Sequence, residues 1–473
     1  MTPIDEVLAA LRARGPAADR PPGLSPEAAA ALAGRPPVSG LGRLWATGRL
    51  AARAGLPYLG LWARGVFRGA GRGERDRAKA HLRAAAAVVA GMGYLRGAAM
   101  KVGQGLAKLP GLLPDEFVET LDRLHFDAPA MHPALAREQL RGELGCDADE
   151  VFARFDPLPF AVASLGQVHR AVLPSGREAA VKVQYPAIAR AIQADFRLLG
   201  VLLAPLRRGP DGDRLAAYLG DIRRTVEREA DYRAEAGALR AARALFREAN
   251  GIDVPRVYDE LSTGRVLTME RLPGVHLPDF LAGDPPQGLR DHFGALVCRA
   301  YARLHFAGRL LHADPHPGNI LFAPGGRLGL IDFGCVRAYT PEEWDWTRRW
   351  EEAARRTPAD RTRVCREFVG LGPGGDPGST GSEPLEAWVA WSNRPREAGG
   401  PFDFGDETYL RDGVAVLRAL LRGRWARGLP IGVFSARWYL GVCGLLHRLR
   451  ARVDVRAVTD EEYAAGVAGP GSV

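Results

Sequence analysis

Lysine is almost missing from this chain. Of 64 basic residues, four are Lys: Lys79, Lys101, Lys108 and Lys182. Arg replaces Lys wherever either serves, so a retained Lys marks a place where a compact ammonium on a flexible stem is needed. Lys101 and Lys182 fall inside motifs; Lys79 and Lys108 fit simple survivors of the bias. Cysteine is scarce too. The five are scattered and no C-x-x-C pair occurs, which excludes a disulfide framework and a cysteine-rich zinc site and fits a reducing cytosol. Long apolar runs are absent. The longest in the N-terminal part, residues 84–95, has 12 residues, short of the ~20 that cross a bilayer. The N-terminus has no apolar stretch of signal-peptide type, and Asp5 and Glu6 come early, so no secretory leader is expected.

Acidic residues are sparse in one region. Residues 1–100 hold 14 Arg and one Lys against six acidic residues, which accounts for the whole net charge of +9. A solubilising tail would look like this. So would an arm drawn to an anionic membrane surface. No nucleic-acid-binding motif accompanies the charge, so no nucleic-acid partner is expected. Within the arm, residues 41–69 interleave Arg with Leu, Trp, Tyr and Phe. That pattern suits a helix in a membrane interface, or one packed on the protein's own body, with a break or kink at Pro57.

Four segments are expected. Residues 1–70 are a basic, Pro/Gly-rich arm. Residues 71–150 read as helices. From 151 to 272 short β-type runs appear: "EAAVKVQ" after a Pro-Ser-Gly turn signal at 174–176, and "VLTMERL" ending at Pro273-Gly274. Residues 273–473 are mostly helical.

The chemistry concentrates in the second half. "HADPHPGN" sets Asn319 five residues after Asp314, and "DFG" places Asp332 thirteen residues beyond that Asn. A kinase catalytic loop has this spacing: the Asp orients or deprotonates the acceptor, and the Asn and the later Asp hold the metal that bridges the phosphates. An amide and a carboxylate oxygen suit Mg²⁺. Lys182 stands mid-strand, sixteen residues after Gly166, as the phosphate-binding Lys of a kinase follows its glycine-rich loop. Yet positions 161 and 163, where that loop has glycine, are Ala161 and Ala163. Alanine restricts positive φ and close backbone approach to phosphates. Read alone, this loop is as compatible with an ordinary hairpin. For the partner of Lys182, "EREADYRAEA" offers Glu227, Glu229 and Glu235; Glu229 and Asp231 are the pair of interest, the others being read as solvated.

These residues resemble the UbiB family of atypical kinases, also called ABC1 or AarF. "KVGQ" (101–104) is similar to its KxGQ motif, "AVASLGQVH" (161–169) to its alanine-rich loop, "EAD" (229–231) to its ExD motif, and the two loops above to its catalytic and metal loops; "PFDFG" (401–405) also looks like a family segment. The resemblance covers residue 74 to the C-terminus. It implies an α+β, protein-kinase-like two-lobed fold with an N-terminal helical KxGQ extension over the active site, so that 151–272 and 273–473 are the two lobes. It implies an ATP/ADP- and Mg²⁺-dependent atypical kinase or ATPase tied to quinone or other isoprenoid-lipid metabolism. Asp314, Lys182, Glu229 and Lys101 would then be catalytic, with Lys182 on the phosphates and paired to Glu229, and Asn319 and Asp332 would hold the metal. Ala161, Ala163, Ser164, Gly166, Val168, Lys182, Glu270, Gln104 and Asp231 would line the nucleotide. Expected partners are a lipid or quinone-precursor small molecule, an anionic membrane surface and a lipid-biosynthetic complex, with a cytoplasmic location peripheral to the membrane. Val162 departs from the family's alanine string. No Ala-Pro-Glu follows "DFG", which argues against a segment built to hold protein substrates. A phosphotransferase of the aminoglycoside or choline kinase type shares HxDxHxxN, but lacks KxGQ and the alanine loop. A nucleotide-gated scaffold is the third reading.

Overall fold

The computed structural model describes residues 131–163, 165–186, 226–246, 250–368, 383–422 and 431–467, with scattered positions between 188 and 224. The arm, most of the 71–150 segment, Lys101, Gln104 and Ser164 lie outside them.

Helices α1 (Pro133–Leu144) and α2 (Ala148–Val151) lead into strands β1 (Arg154–Phe155), β2 (Ala161–Ala163), β3 (Gly166–Val172) and β4 (Glu178–Gln184). Helix α3 (Tyr232–Leu245), β5 (Ile252–Asp253) and β6 (Val266–Glu270) follow. The sheet is antiparallel, in the order β1-β3-β4-β6, with β2 folded back on β3. Its two faces follow from the two-residue period of a strand. On β4, Ala179, Val181 and Val183 point one way and pack with Ala136, Leu140, Phe152 and Phe155. The alternate residues Ala180 and Lys182 point the other way, Ala180 joining the cluster that contains α3 and the second lobe. α1 and α2 thus cover the outer face, and Lys182 is left facing the cleft. The turn signal at 174–176 is the β3–β4 hairpin, closed by Gly176 at φ 80°.

The second lobe starts with α4 (Leu277–Ala282) and is built around α5 (Gln287–Phe306). Phe280, Phe293 and Phe322 stack at its centre with centroids 4.5–5.1 Å apart. β7 (Leu310–His312), β8 (Ile320–Ala323), β9 (Arg327–Leu330) and β10 (Val336–Ala338) follow. β8 and β9 form a hairpin extended by β5, and β7 pairs with β10. Helices α6 (Pro341–Ala354), α7 (Pro358–Phe368), α8 (Glu383–Glu397), α9 (Glu407–Arg422), α10 (Ile431–Leu449) and α11 (Val455–Val467) complete it, with β11 (Phe402–Asp403) paired to β12 (Arg452–Val453). The "PFDFG" segment is a packing element here. Phe404 and Tyr409 are buried beside Trp391. α11 is clamped to α5 by buried Glu462, which accepts two hydrogen bonds from Arg303 at 2.7 and 2.9 Å. No helix among the described residues is long and apolar enough to cross a membrane.

Candidate active site

Two loops make the site, and four links hold them together. β7 delivers "HADPHPGN" and β10 follows "DFG"; His312 and Val336 are register partners. The Ala313 amide donates to the Cys335 carbonyl at 2.9 Å, and the Ile331 amide donates to the Asn319 carbonyl at 3.1 Å. The fourth link is His312, buried and 2.9 Å from the Asp332 carbonyl through Nε2. A carbonyl only accepts, so Nε2 carries the proton and Nδ1 is the acceptor facing the Asp314 amide at 3.4 Å. Burial pushes the imidazole down from its ordinary value, which keeps it neutral in this role. His312 therefore sets the backbones of both Asp314 and Asp332.

Within the "HADPHPGN" loop, the Asn319 side chain donates through Nδ2 to the Asp314 carbonyl at 3.1 Å. That leaves its oxygen as the end free for a cation. Pro315 is braced from below by α10. A Cβ on Gly441 would overlap the Pro315 ring, so only glycine lets the helix approach so closely.

Lys182 is the charged centre. Its Nζ donates to Glu235 Oε1 at 2.5 Å and to Asp332 Oδ2 at 3.0 Å. Burial alone would lower this ammonium's pKa, but Asp332 and Glu235 outweigh it and hold it above its ordinary value. Glu235 is pushed above its ordinary value by its own burial, against the pull of Lys182. Glu235 Oε1 also faces the Phe333 amide at 3.4 Å, and Asp332 Oδ1 accepts from the Gly334 amide at 3.0 Å. The "DFG" turn is thus tied to α3 and β4 through one carboxylate.

This corrects the expected pairing. Glu229 is not the partner of Lys182; Glu235 is. Glu235 lies on the buried stripe of α3 made by Tyr232, Glu235, Ala236, Leu239 and Ala242. A carboxylate on an apolar stripe at helical spacing was the signal, and reading it as solvated overlooked that periodicity. Glu229 is itself buried, before α3 begins. Asp231 is exposed and acts as the cap of α3, accepting from the Arg233 amide at 3.1 Å. It helps set where the helix starts, but its carboxylate is not brought to the Lys182 cluster. The Glu270 carboxylate is not brought there either. Its register partner is Ala179, on the face away from Lys182, and it accepts from the Arg256 amide at 3.1 Å and faces Arg243 at 3.4 Å.

The alanine loop is a short hairpin. Ala161 pairs with Val168 and Ala163 with Gly166, and Val168 is in turn the partner of Lys182 on β4. Val168 therefore shares the cleft face with Lys182. Gly166 is needed for space and not for positive φ: a Cβ there would meet the Val183 carbonyl oxygen and, at 2.7 Å, the Tyr232 hydroxyl. Gln167 and His169 on the other side of β3 are satisfied core groups. Gln167 accepts from the Met131 amide at 2.7 Å, and His169 lies 2.9 Å from the Asp156 carbonyl.

The site thus brings together Lys182, Asp314, Asn319 and Asp332, as the spacing predicted, and adds Glu235. A model of the ABC1 atypical kinase-like domain matches residues 123–362. The chain belongs to the ABC1 atypical kinase-like family. Relatives of this ABC1 protein include the mitochondrial atypical kinase coq-8 of Caenorhabditis elegans, 36% identical over 53% of this chain and 34% of that one. The mitochondrial atypical kinase COQ8B of Rattus norvegicus is 32% identical over 78% of this chain and 70% of its own length. Among solved structures, the Rv3197–erythromycin complex from Mycobacterium tuberculosis superposes with a TM-score of 0.56 at 28% identity, covering 83% of this chain and all of that one. The chain spans from a third to under six-tenths of the length of the first curated relatives it matches. The kinase-like fold of this ABC1 protein is the expected one.

Proposed function

We propose that this ABC1 protein binds a magnesium nucleotide in the cleft between the lobes and acts as an atypical kinase or ATPase on a small lipid-like acceptor. The observation that carries the reading is the Lys182–Glu235–Asp332 cluster beside Asp314 and Asn319. The donor set fits the proposed ligand. Asn319 offers its amide oxygen and Asp332 a carboxylate, hard ligands in the number that a kinase supplies when phosphates complete the shell. No group of three or more His, Cys, Asp or Glu among the described residues could hold a metal alone, which agrees with a cation carried in by the nucleotide. Bound there, Mg²⁺ would neutralise charge on the phosphates. Lys182 would hold the phosphates and Glu235 would keep Lys182 aimed at them. Asp314 would orient the acceptor hydroxyl and take its proton as the phosphoryl group moves to that oxygen.

A small acceptor is favoured because no Ala-Pro-Glu segment follows "DFG" and because the Rv3197 structure is a complex with erythromycin. Quinone or other isoprenoid-lipid metabolism, with the basic arm on an anionic membrane and a lipid-biosynthetic complex as partner, is the setting that the resemblance supports. The test is nucleotide titration with and without Mg²⁺, on wild type and Asp332→Asn. Wild type should bind ATP or ADP in a Mg²⁺-dependent way and the variant should lose that dependence. Equal Mg²⁺-dependent affinity in both would overturn the assignment. ATP turnover should rise with anionic liposomes or phenolic quinone precursors; turnover indifferent to both would point to another acceptor.

A further inference from the structure

Tyr232 opens α3 three residues before Glu235, on the same buried stripe. The residue is 3% exposed, and its hydroxyl has no hydrogen-bond partner among the described residues. A buried hydroxyl left unpaired is destabilising, and most native ones are satisfied. The oxygen stands 2.7 Å from where a Cβ on Gly166 would be, so the glycine of the hairpin is what admits it. Gly166 pairs with Gln184 and Val168 with Lys182. The hydroxyl therefore sits on the cleft face one side-chain row from Lys182, about 7 Å along the strand. Lys182, Glu235 and Asp332 all lie within its electrostatic reach.

We propose that the Tyr232 hydroxyl is a further ligand of the nucleotide, donating a hydrogen bond to an oxygen of its phosphate chain. The inference rests on the nucleotide-binding reading above. A phosphate drawn to Lys182 supplies the acceptor that the hydroxyl lacks. The alanines at 161 and 163 are held in the β2–β3 ladder and give the phosphates less backbone contact than glycines would, so a side-chain donor at the turn end of the hairpin compensates. Burial pushes the phenol up above its ordinary value, with Lys182 pulling down and Glu235 and Asp332 adding to the rise. The group stays protonated, and a donor, throughout the working pH range.

The test is calorimetric titration of the full chain and of Tyr232→Phe with Mg-ATP, Mg-ADP and adenosine. Phe keeps the ring and removes only the oxygen. The variant should bind both phosphorylated ligands about tenfold more weakly, the size of one hydrogen bond to a charged acceptor. Adenosine should bind both proteins alike. Equal ATP affinity in the two proteins overturns the proposal, and so does an equal loss for adenosine, which would mark a structural role. If wild type fails to bind ATP, the nucleotide reading itself falls and takes this one with it. If Tyr232→Phe does not fold, the tyrosine absorption of wild type should change on adding tripolyphosphate. No change would overturn the proposal.

Discussion

Removing the Glu235 carboxylate tests the centre of the site directly. Lys182 is 5% exposed and Glu235 4% exposed, and their atoms meet at 2.5 Å. Glu235→Ala takes away the shorter of the two contacts to the Lys182 ammonium and leaves it in a dry site. It also removes the acceptor facing the buried Phe333 amide. Breaking a buried pair from one side costs about 3–5 kcal/mol. Asp332 remains at 3.0 Å and is about a third exposed, so it offsets part of that loss. The lower end, about 3 kcal/mol, is the expected value. With a urea slope of about 2–3 kcal/mol/M, the unfolding midpoint should fall by about 1 M or more at unchanged slope. A midpoint unmoved by Glu235→Ala would refute the pairing.

Two further outcomes follow from buried groups outside that cluster. His305 is buried, stacked on Trp438 at 4.8 Å and 2.8 Å from the Tyr339 hydroxyl through Nδ1; burial pushes its pKa down to about 4. Between pH 4 and the ordinary 6.5 the folded state binds fewer protons than the unfolded one, so stability rises with pH there, by about 3 kcal/mol from this residue. His169 and His312 are also lowered by burial and add slope of the same sign. The check is therefore the difference between wild type and His305→Phe in urea unfolding across that window; parallel curves would rule His305 out. Gly441→Ala would press a methyl into the Pro315 ring. It should destabilise by about 1–3 kcal/mol and lower turnover more than nucleotide affinity, and a variant as stable and active as wild type would show that α10 does not position the catalytic loop.

The strands were legible because their chemistry is local. β4 alternates core and cleft residues within seven positions, and the turn before it carries its own glycine. The spacing of Asp314, Asn319 and Asp332 was legible for the same reason, since two short loops fix it. Glu235 was misread because its role depends on which face of α3 is buried, and a run of four carboxylates in ten residues hides that face. Tyr232 stands beside the ExD string with nothing local to mark it. The brace from Gly441 joins residues more than a hundred positions apart, and nothing in either short stretch announces the other. Lys101, Gln104 and Ser164 lie outside the described residues, so their roles stay expectations.

Lys182 is held by Glu235 and Asp332 together, and this constrains how a charged ligand can enter. A phosphate that takes the ammonium must detach it from Asp332, leaving that carboxylate facing an anion. A cation that takes Asp332 must detach Lys182, leaving two positive charges face to face. Either ligand arriving alone meets repulsion that the other removes. Metal and nucleotide are therefore expected to bind with positive cooperativity, each raising the other's affinity by the same factor. On the proposed magnesium-nucleotide reading the cluster would act as a double lock, opened by a neutralising pair of ions and resistant to either ion by itself.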